Sequence, residues 1–238
     1  MTDTDTDTNP KPTILLVHGA WADGSSWLPI IRLLLKAGYA VRSIQIPLTG
    51  LADDVAAVQR TIADVDGPIV LVGHSWGGTV VTEAGTDPRI KALVYVAAFG
   101  NEAGQSGGEL LEPYPPLGVM GAIRPDNQGF LLVTDDGMAN IIAHDMPIEE
   151  ARALVAVQRP LAQSVFGDKV TTPAWQSRPS WYLVASDDRA FSPEIQRDIA
   201  RKVGATTSEV AASHMLILSH ADEVAAVIER AAEGVRSA

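Results

Sequence analysis

Residues 69–78 read IVLVGHSWGG. Ile69, Val70, Leu71 and Val72 form a continuous apolar run without polar alternation, the pattern of a strand covered on both faces. Gly73-His74-Ser75-Trp76-Gly77 then fits G-x-S-x-G, Gly78 extends it, and residues 79–84 continue with helical character. A strand that turns at once into a helix forces the serine into a strained conformation, with its hydroxyl exposed at the carboxyl edge of the sheet. The flanking glycines relieve the crowding in that turn. The pentapeptide alone is a weak signal, since a Gly-rich structural turn could carry an idle serine. Between a buried strand and a helix it makes Ser75 a candidate nucleophile.

The same rhythm extends in both directions. Before it come a strand at 13–17 (TILLV), a helix at 27–37, a second strand at 40–46 and a helix at 51–65 closed by Asp66-Gly67-Pro68. After it comes a strand at 90–98 (IKALVYVAA). Apolar strands alternating with helices predict a mostly parallel six-stranded sheet with helices on both faces, an α/β fold. From about residue 99 to 178 the alternation stops, and Gly, Pro and short apolar pieces such as 130–133 take over, with a helix-like stretch at 147–157. So long an interruption predicts an inserted cap. The rhythm resumes with a strand at 181–185, a helix at 193–203, a strand at about 207–211 and a closing helix from 221 to about 232. The expected organisation is a disordered tail at 1–12 and one domain from 13 to 238.

Composition narrows the chemistry. With 238 residues, 46% hydrophobic and 20% charged, the chain suits one well-buried soluble domain. Its net charge of −11, three of those charges being Asp3, Asp5 and Asp7 in a Thr-Asp repeat, would repel phosphate backbones, so no nucleic-acid partner is expected. There is no cysteine, which removes disulfides, thiolate catalysis and Cys-ligated zinc. No basic segment followed by an apolar stretch opens the chain, and no apolar run approaches the roughly 20 residues that span a bilayer. A cytoplasmic protein without a membrane partner is the expectation.

A serine hydroxyl attacks a carbonyl only when a base takes its proton. For a serine in this setting the acid and then the histidine follow later in the chain. Of the five histidines, His214 lies in the loop after the last strand, at the same sheet edge as Ser75, and is the candidate base. His220 sits near the start of the closing helix and reads as solvated or capping. His18 and His74 flank glycines in tight turns and read as structural, and His144 falls in the cap. The acid should follow the strand at 181–185, where Asp187 and Asp188 both stand. Either carboxylate could orient the imidazole. Oxyanion donors are expected at the backbone N–H of Trp76, directly after the serine, and at that of Ala20, in the loop after the first strand. No metal or organic cofactor is needed.

The stretches LLVHGAW (15–21), VGHSWGG (72–78), PSWYLVASDDRAFSPEIQR (179–197) and SHM (213–215) together resemble the α/β-hydrolase superfamily. More narrowly they are similar to small bacterial esterases related to plant methyl-ester esterases and hydroxynitrile lyases. The resemblance covers about 13 to 229 and is vague across the cap. It implies that the acid stands three residues after the small residue closing the strand, which from Ala185 points to Asp188. It also implies a small, mostly apolar ester as substrate, with amides, lactones and thioesters open, and it allows a homodimer. The lyases of this group carry a threonine where Gly19 stands and a lysine where Met215 stands, so the esterase pattern is the closer one. A C–C lyase of the cyanohydrin type and a non-catalytic ligand-binding homologue are the rival readings. Trp21, Phe130 and Trp175 are candidates for lining the substrate pocket, though each could equally be a core or interface aromatic.

Overall fold

Successive side chains of a strand point to opposite faces, and in β1 (Thr13–Val17) this sends Ile14 and Leu16 into one core and Leu15 and Val17 into another. The protein, here a computed structural model, is described over residues 11–236. Most of the expected tail, residues 1–10, lies outside the described residues. Within it, Pro12 is buried and Lys11 donates from Nζ to Ala37 O, 2.6 Å away.

The first half alternates strand and helix: β1, α1 (Leu28–Lys36), β2 (Val41–Ile44), α2 (Leu51–Ala63), β3 (Ile69–His74), α3 (Trp76–Ala84) and β4 (Ile90–Val96). An excursion follows, containing α4 (Gly107–Leu111), β5 (Ile123–Pro125), β6 (Phe130–Val133), α5 (Asp135–Gly137), α6 (Ile148–Val157) and β7 (Leu161–Ala162). The chain then returns through β8 (Ser180–Ala185), α7 (Pro193–Lys202), β9 (Thr206–Val210), α8 (Leu216–Ser219) and α9 (Ala221–Arg236). The main sheet has six strands in the order β2-β1-β3-β4-β8-β9, every neighbouring pair parallel. One face is covered by α1 and α9, through Ile30, Leu34, Val224 and Ile228, and the other by α2, α3 and α7, through Val58, Val81, Ile195 and Ile199.

Because β4 pairs directly with β8, the residues between them form an excursion from the sheet, as the broken rhythm predicts. It carries its own antiparallel sheet, β5-β6-β7, and a π-helical turn at Met138–Ile142. Hydrogen bonds stitch it to the loops of the main sheet: Trp21 Nε1 to Leu131 O (2.9 Å), Arg159 Nη1 to Ile46 O (3.0 Å) and Ala162 N to Leu48 O (2.9 Å).

Several boundaries differ from the sequence expectation. The strand expected to run to 98 stops at Val96, because Ala97 takes a φ of 43° and Ala98 bonds the Tyr182 hydroxyl with both its N–H and its C=O. Conversely, β3 extends past Val72, since Gly73 and His74 stay in register with Tyr95 and Val96. The closing helix continues to Arg236.

Strand order reverses at β1, with β2 on one side and β3 on the other, and the crevice at the carboxyl ends of such strands is where α/β sheets bind ligands. The loop after β1 and the turn after β3 both open there. The turn is tightly confined. A Cβ on Gly73 would stand 2.5 Å from Gly77 O, and one on Gly78 would overlap Phe99 O. One on Gly77 would stand 2.6 Å from Val17 O and 2.8 Å from His18 O, both backbone atoms of a buried strand end. Gly77→Ala is therefore expected to lower stability by about 1–3 kcal/mol, the usual cost of overpacking, despite alanine's better helix propensity. A urea midpoint equal to or above wild type would show that α3 can move away from β1.

Candidate active site

Ser75 stands between β3 and α3 with φ 54° and ψ −122°, a backbone conformation strained for any residue with a side chain. Its own N–H donates to Val96 O and its C=O accepts from Gly78 and Phe99, which hold the turn closed while the hydroxyl faces the crevice. Across that crevice His214, in the loop after β9, places Nε2 2.9 Å from Ser75 Oγ. Its Nδ1 lies 2.6 Å from Asp188 Oδ2. With the Nδ1–H donating to the carboxylate, Nε2 is the bare nitrogen and the serine hydroxyl donates to it.

The two candidate acids separate by environment. Asp187 is exposed, and its C=O accepts from His144 Nε2. The Asp188 side chain is fully buried. Besides His214, its Oδ2 accepts from Gln196 Nε2 (2.8 Å), and its Oδ1 accepts from the N–H groups of Ala190 (2.8 Å) and Phe191 (2.9 Å). Gln196 was not singled out by the sequence reading. It is fully buried on α7, donates also to Phe191 O and accepts from Ala185 N–H, so its amide is held on three sides. The only local signal is a glutamine on the apolar face of an amphipathic helix.

His18 and His74 are each tied to backbone groups beside the site. Ile46 N–H donates to His18 Nε2 (3.2 Å), so His18 carries its proton on Nδ1 and donates it to Gly19 O (2.9 Å). Burial pulls its pKa down to about 4, against the favourable bond to Gly19. His74 is likewise held well below the ordinary histidine value, first by burial and then by the neighbouring His214. Its Nε2–H donates to His214 O (2.9 Å), and the two rings lie 4.9 Å apart. A second brace comes from the cap, where Asp145 Oδ2 accepts from Ser213 N–H and from the Ser219 hydroxyl (2.9 Å each), on both sides of His214.

Ala20 and Trp76 border the cavity of about 40 Å³ that contains Ser75. Trp76 is the first residue of α3, so its N–H belongs to the donors that a helix leaves without an internal partner. In a trans peptide the C=O and N–H point in opposite directions, so the bond from His18 to Gly19 O turns the Ala20 N–H the other way. The Trp76 indole N–H donates to Asp54 Oδ2 and Leu48 N–H to Asp54 Oδ1, each at 2.7 Å. Burial pushes Asp54 up to about 6, and those two bonds offset part of the effect. Asp54 also went unmarked in the sequence, where it reads as one more acidic residue in the first turn of a helix.

A second cavity, of about 110 Å³, shares Ala20, Trp21, Ile142 and His214 with the first. Asp23, Ser25 and Ser26 line it from the main domain, Met138 and Leu154 from the excursion. Of the three aromatics expected at the pocket, Trp21 borders both cavities. Phe130 and Trp175 border neither. Phe130 pairs with Ala162 inside the small antiparallel sheet and packs against the core, while the Trp175 indole donates to Asn101 O (2.9 Å). Among the described residues no cluster of three or more His, Asp or Glu is arranged to hold a metal ion, and no helix is long and apolar enough to cross a membrane.

Known proteins resemble this chain along most of its length. The chain is 25% identical, over 97% of its length and 96% of the other's, to a pimeloyl-[acyl-carrier protein] methyl ester esterase of Stenotrophomonas maltophilia. It is 24% identical to Methylesterase 8 of Arabidopsis thaliana, over 79% of this chain and 76% of that one. Among solved structures, a pyrethroid hydrolase from Sphingobium faniae superposes with a TM-score of 0.80 at 20% identity, covering 93% of this chain and 97% of the other. The profile of the alpha/beta hydrolase family matches residues 14–227, and the chain belongs to that family.

Proposed function

We propose that this protein is a serine carboxylesterase that cleaves small carboxylic esters through an acyl-enzyme, with Ser75 as nucleophile, His214 as general base and Asp188 as the acid that orients it. The observation that carries the reading is the row of short hydrogen bonds from Ser75 Oγ through both nitrogens of His214 to a fully buried carboxylate. Relatives named esterase and methylesterase support the same class.

Each step uses a group already in position. As Ser75 Oγ bonds to the ester carbon, its proton passes to His214 Nε2, and the carbonyl oxygen takes up the electron pair beside the N–H groups of Ala20 and Trp76. Asp188 stabilises the imidazolium that forms without taking its proton. The ester C–O bond then breaks, and His214 returns the proton to the departing alcohol oxygen. In the second half a water molecule gives its proton to His214 and attacks the acyl carbon, and Ser75 leaves with that proton. No metal or organic cofactor enters these steps.

Two features weigh against cyanohydrin cleavage. A side chain on Gly19 would bring its Cβ to 2.7 Å from Ser75 Cβ, leaving no room for the threonine of the lyases. Met215 is buried where those enzymes carry a lysine, so no ammonium stands after His214 to hold a departing cyanide.

Turnover of p-nitrophenyl acetate and butyrate is expected in the wild type, and Ser75→Ala should lower kcat by about 10⁴-fold or more. Equal rates in the two proteins would remove Ser75 from the reaction. Asp188→Asn should lower kcat by about 10⁴-fold, because the amide favours the wrong histidine tautomer. A loss below tenfold would assign Asp188 a purely structural role.

Stability carries an acid dependence. His18 titrates at about 4 when folded against an ordinary 6.5, so its contribution is complete above pH 6.5 and is lost as pH falls through about 4. The loss amounts to about 3 kcal/mol at most. Asp54, raised to about 6, works in the opposite sense below that pH, because the folded state then holds the extra proton. Urea unfolding at pH 7, 5.5 and 4.5 should show His18→Asn losing less stability on acidification than wild type. Equal slopes would show that His18 does not govern it.

A further inference from the structure

We propose that Phe166, together with Leu117 and Val119, forms a wall that limits the acyl group to a short chain, and that an apolar chamber for a longer chain is already built behind it. This specificity assignment rests on the esterase reading above. The acyl carbon must bond Ser75 Oγ while its oxygen meets the Trp76 N–H, so the acyl substituent occupies the cavity that holds both residues. That cavity measures about 40 Å³. It is less than half the size of the neighbouring cavity that also touches His214. The alcohol oxygen instead needs the proton on His214. His214 borders both cavities, and the one of about 110 Å³, which lacks Ser75 and carries Asp23, Ser25 and Ser26, suits the departing alcohol.

Leu117, Val119 and Phe166 line the small acyl cavity and also a groove of about 500 Å³ on its far side. The groove is apolar, formed by Leu111, Met120, Ile123, Pro125 and Leu131, with Gln163 as its polar side chain. The wall therefore separates a small space from one about ten times larger whose apolar lining suits an alkyl chain.

Both halves of the wall are fixed by close backbone approach. Phe166 sits in the short helix Gln163–Gly167, its ring meeting that of Trp76 edge-on at 6.5 Å. A Cβ on Gly108 would stand 3.0 Å from Phe166 O, so the absence of a side chain there lets α4 lie against this helix. Glu109 of α4, which closes a capping box with Ser106, also pairs with Lys169 at 2.6 Å. On the other side, a Cβ on Gly118 would overlap Arg189 O, so Gly118, between Leu117 and Val119, lies directly against the backbone that follows Asp188.

The test compares kcat/KM for p-nitrophenyl acetate, butyrate and octanoate in wild type, Phe166→Ala and Leu117→Ala. The readout is the ratio of octanoate to acetate within each protein. That ratio should be low in wild type and rise about tenfold or more in Phe166→Ala, with a rise in Leu117→Ala as well. If Phe166→Ala does not fold by circular dichroism, Leu117→Ala decides. A ratio within twofold of wild type in the folded variants overturns the wall while leaving the esterase reading intact. If wild type and Ser75→Ala alike turn over none of the three esters, the esterase reading fails. The wall is then judged by calorimetric binding of octanoate, expected to be about tenfold tighter in Phe166→Ala and equal in both proteins if there is no wall.

Discussion

The turn from β3 into α3 is hemmed in by backbone at each of its glycines, and the rest of the site is arranged around that confinement. Gly73, Gly77 and Gly78 each lie against backbone of the turn itself, of β1 or of the chain after β4, so α3 can begin at Trp76 only with Ser75 at a positive φ. Strain of this kind persists only where the surroundings over-determine it. Here two parallel strands, the helix and the start of the excursion all contribute. The same crowding sets Ser75 Oγ toward His214 and leaves the Trp76 N–H free of a helical partner.

Around this turn the buried polar groups divide by charge. His18 and His74 are kept neutral by burial, and each spends its single N–H on a carbonyl of a loop that frames the site, Gly19 in one case and His214 in the other. Buried acids instead collect donors. Asp188 gathers two backbone N–H groups, an amide and an imidazole, and Asp54 an indole and a backbone N–H. Leaving such groups unpaired in a low-dielectric interior would be costly, which makes these bonds specific as well as stabilising.

Much of this was legible in the sequence, because the informative signals are local. Continuous apolar runs at 69–72 and 181–185 mark strands covered on both faces, and the glycines around Ser75 mark the turn. The choice between Asp187 and Asp188 was not local, since the residues alone left it open and only the resemblance pointed to Asp188. In the fold they differ by burial and by the partners that α7 supplies, Gln196 among them. Gln196, Asp54 and Asp145 escaped notice for the same reason: their partners lie on other elements, and nothing in an isolated helix or loop reveals them. Phe130 and Trp175 show the same limit. An aromatic residue in a cap reports that surface is buried there, not which cavity its ring faces.

Trp21 ties the loop after β1 to the excursion at both ends of the residue. Its indole N–H reaches Leu131 O in β6, and its C=O accepts from Arg159 N–H at 3.3 Å. It holds a φ of 58° directly after Ala20. The excursion is consequently not an interchangeable module. A cap transplanted from a relative would keep this loop in its present shape only if it brought a carbonyl and an N–H to those two places. Cap and loop thus form a single inheritable unit, although more than a hundred residues separate them along the chain.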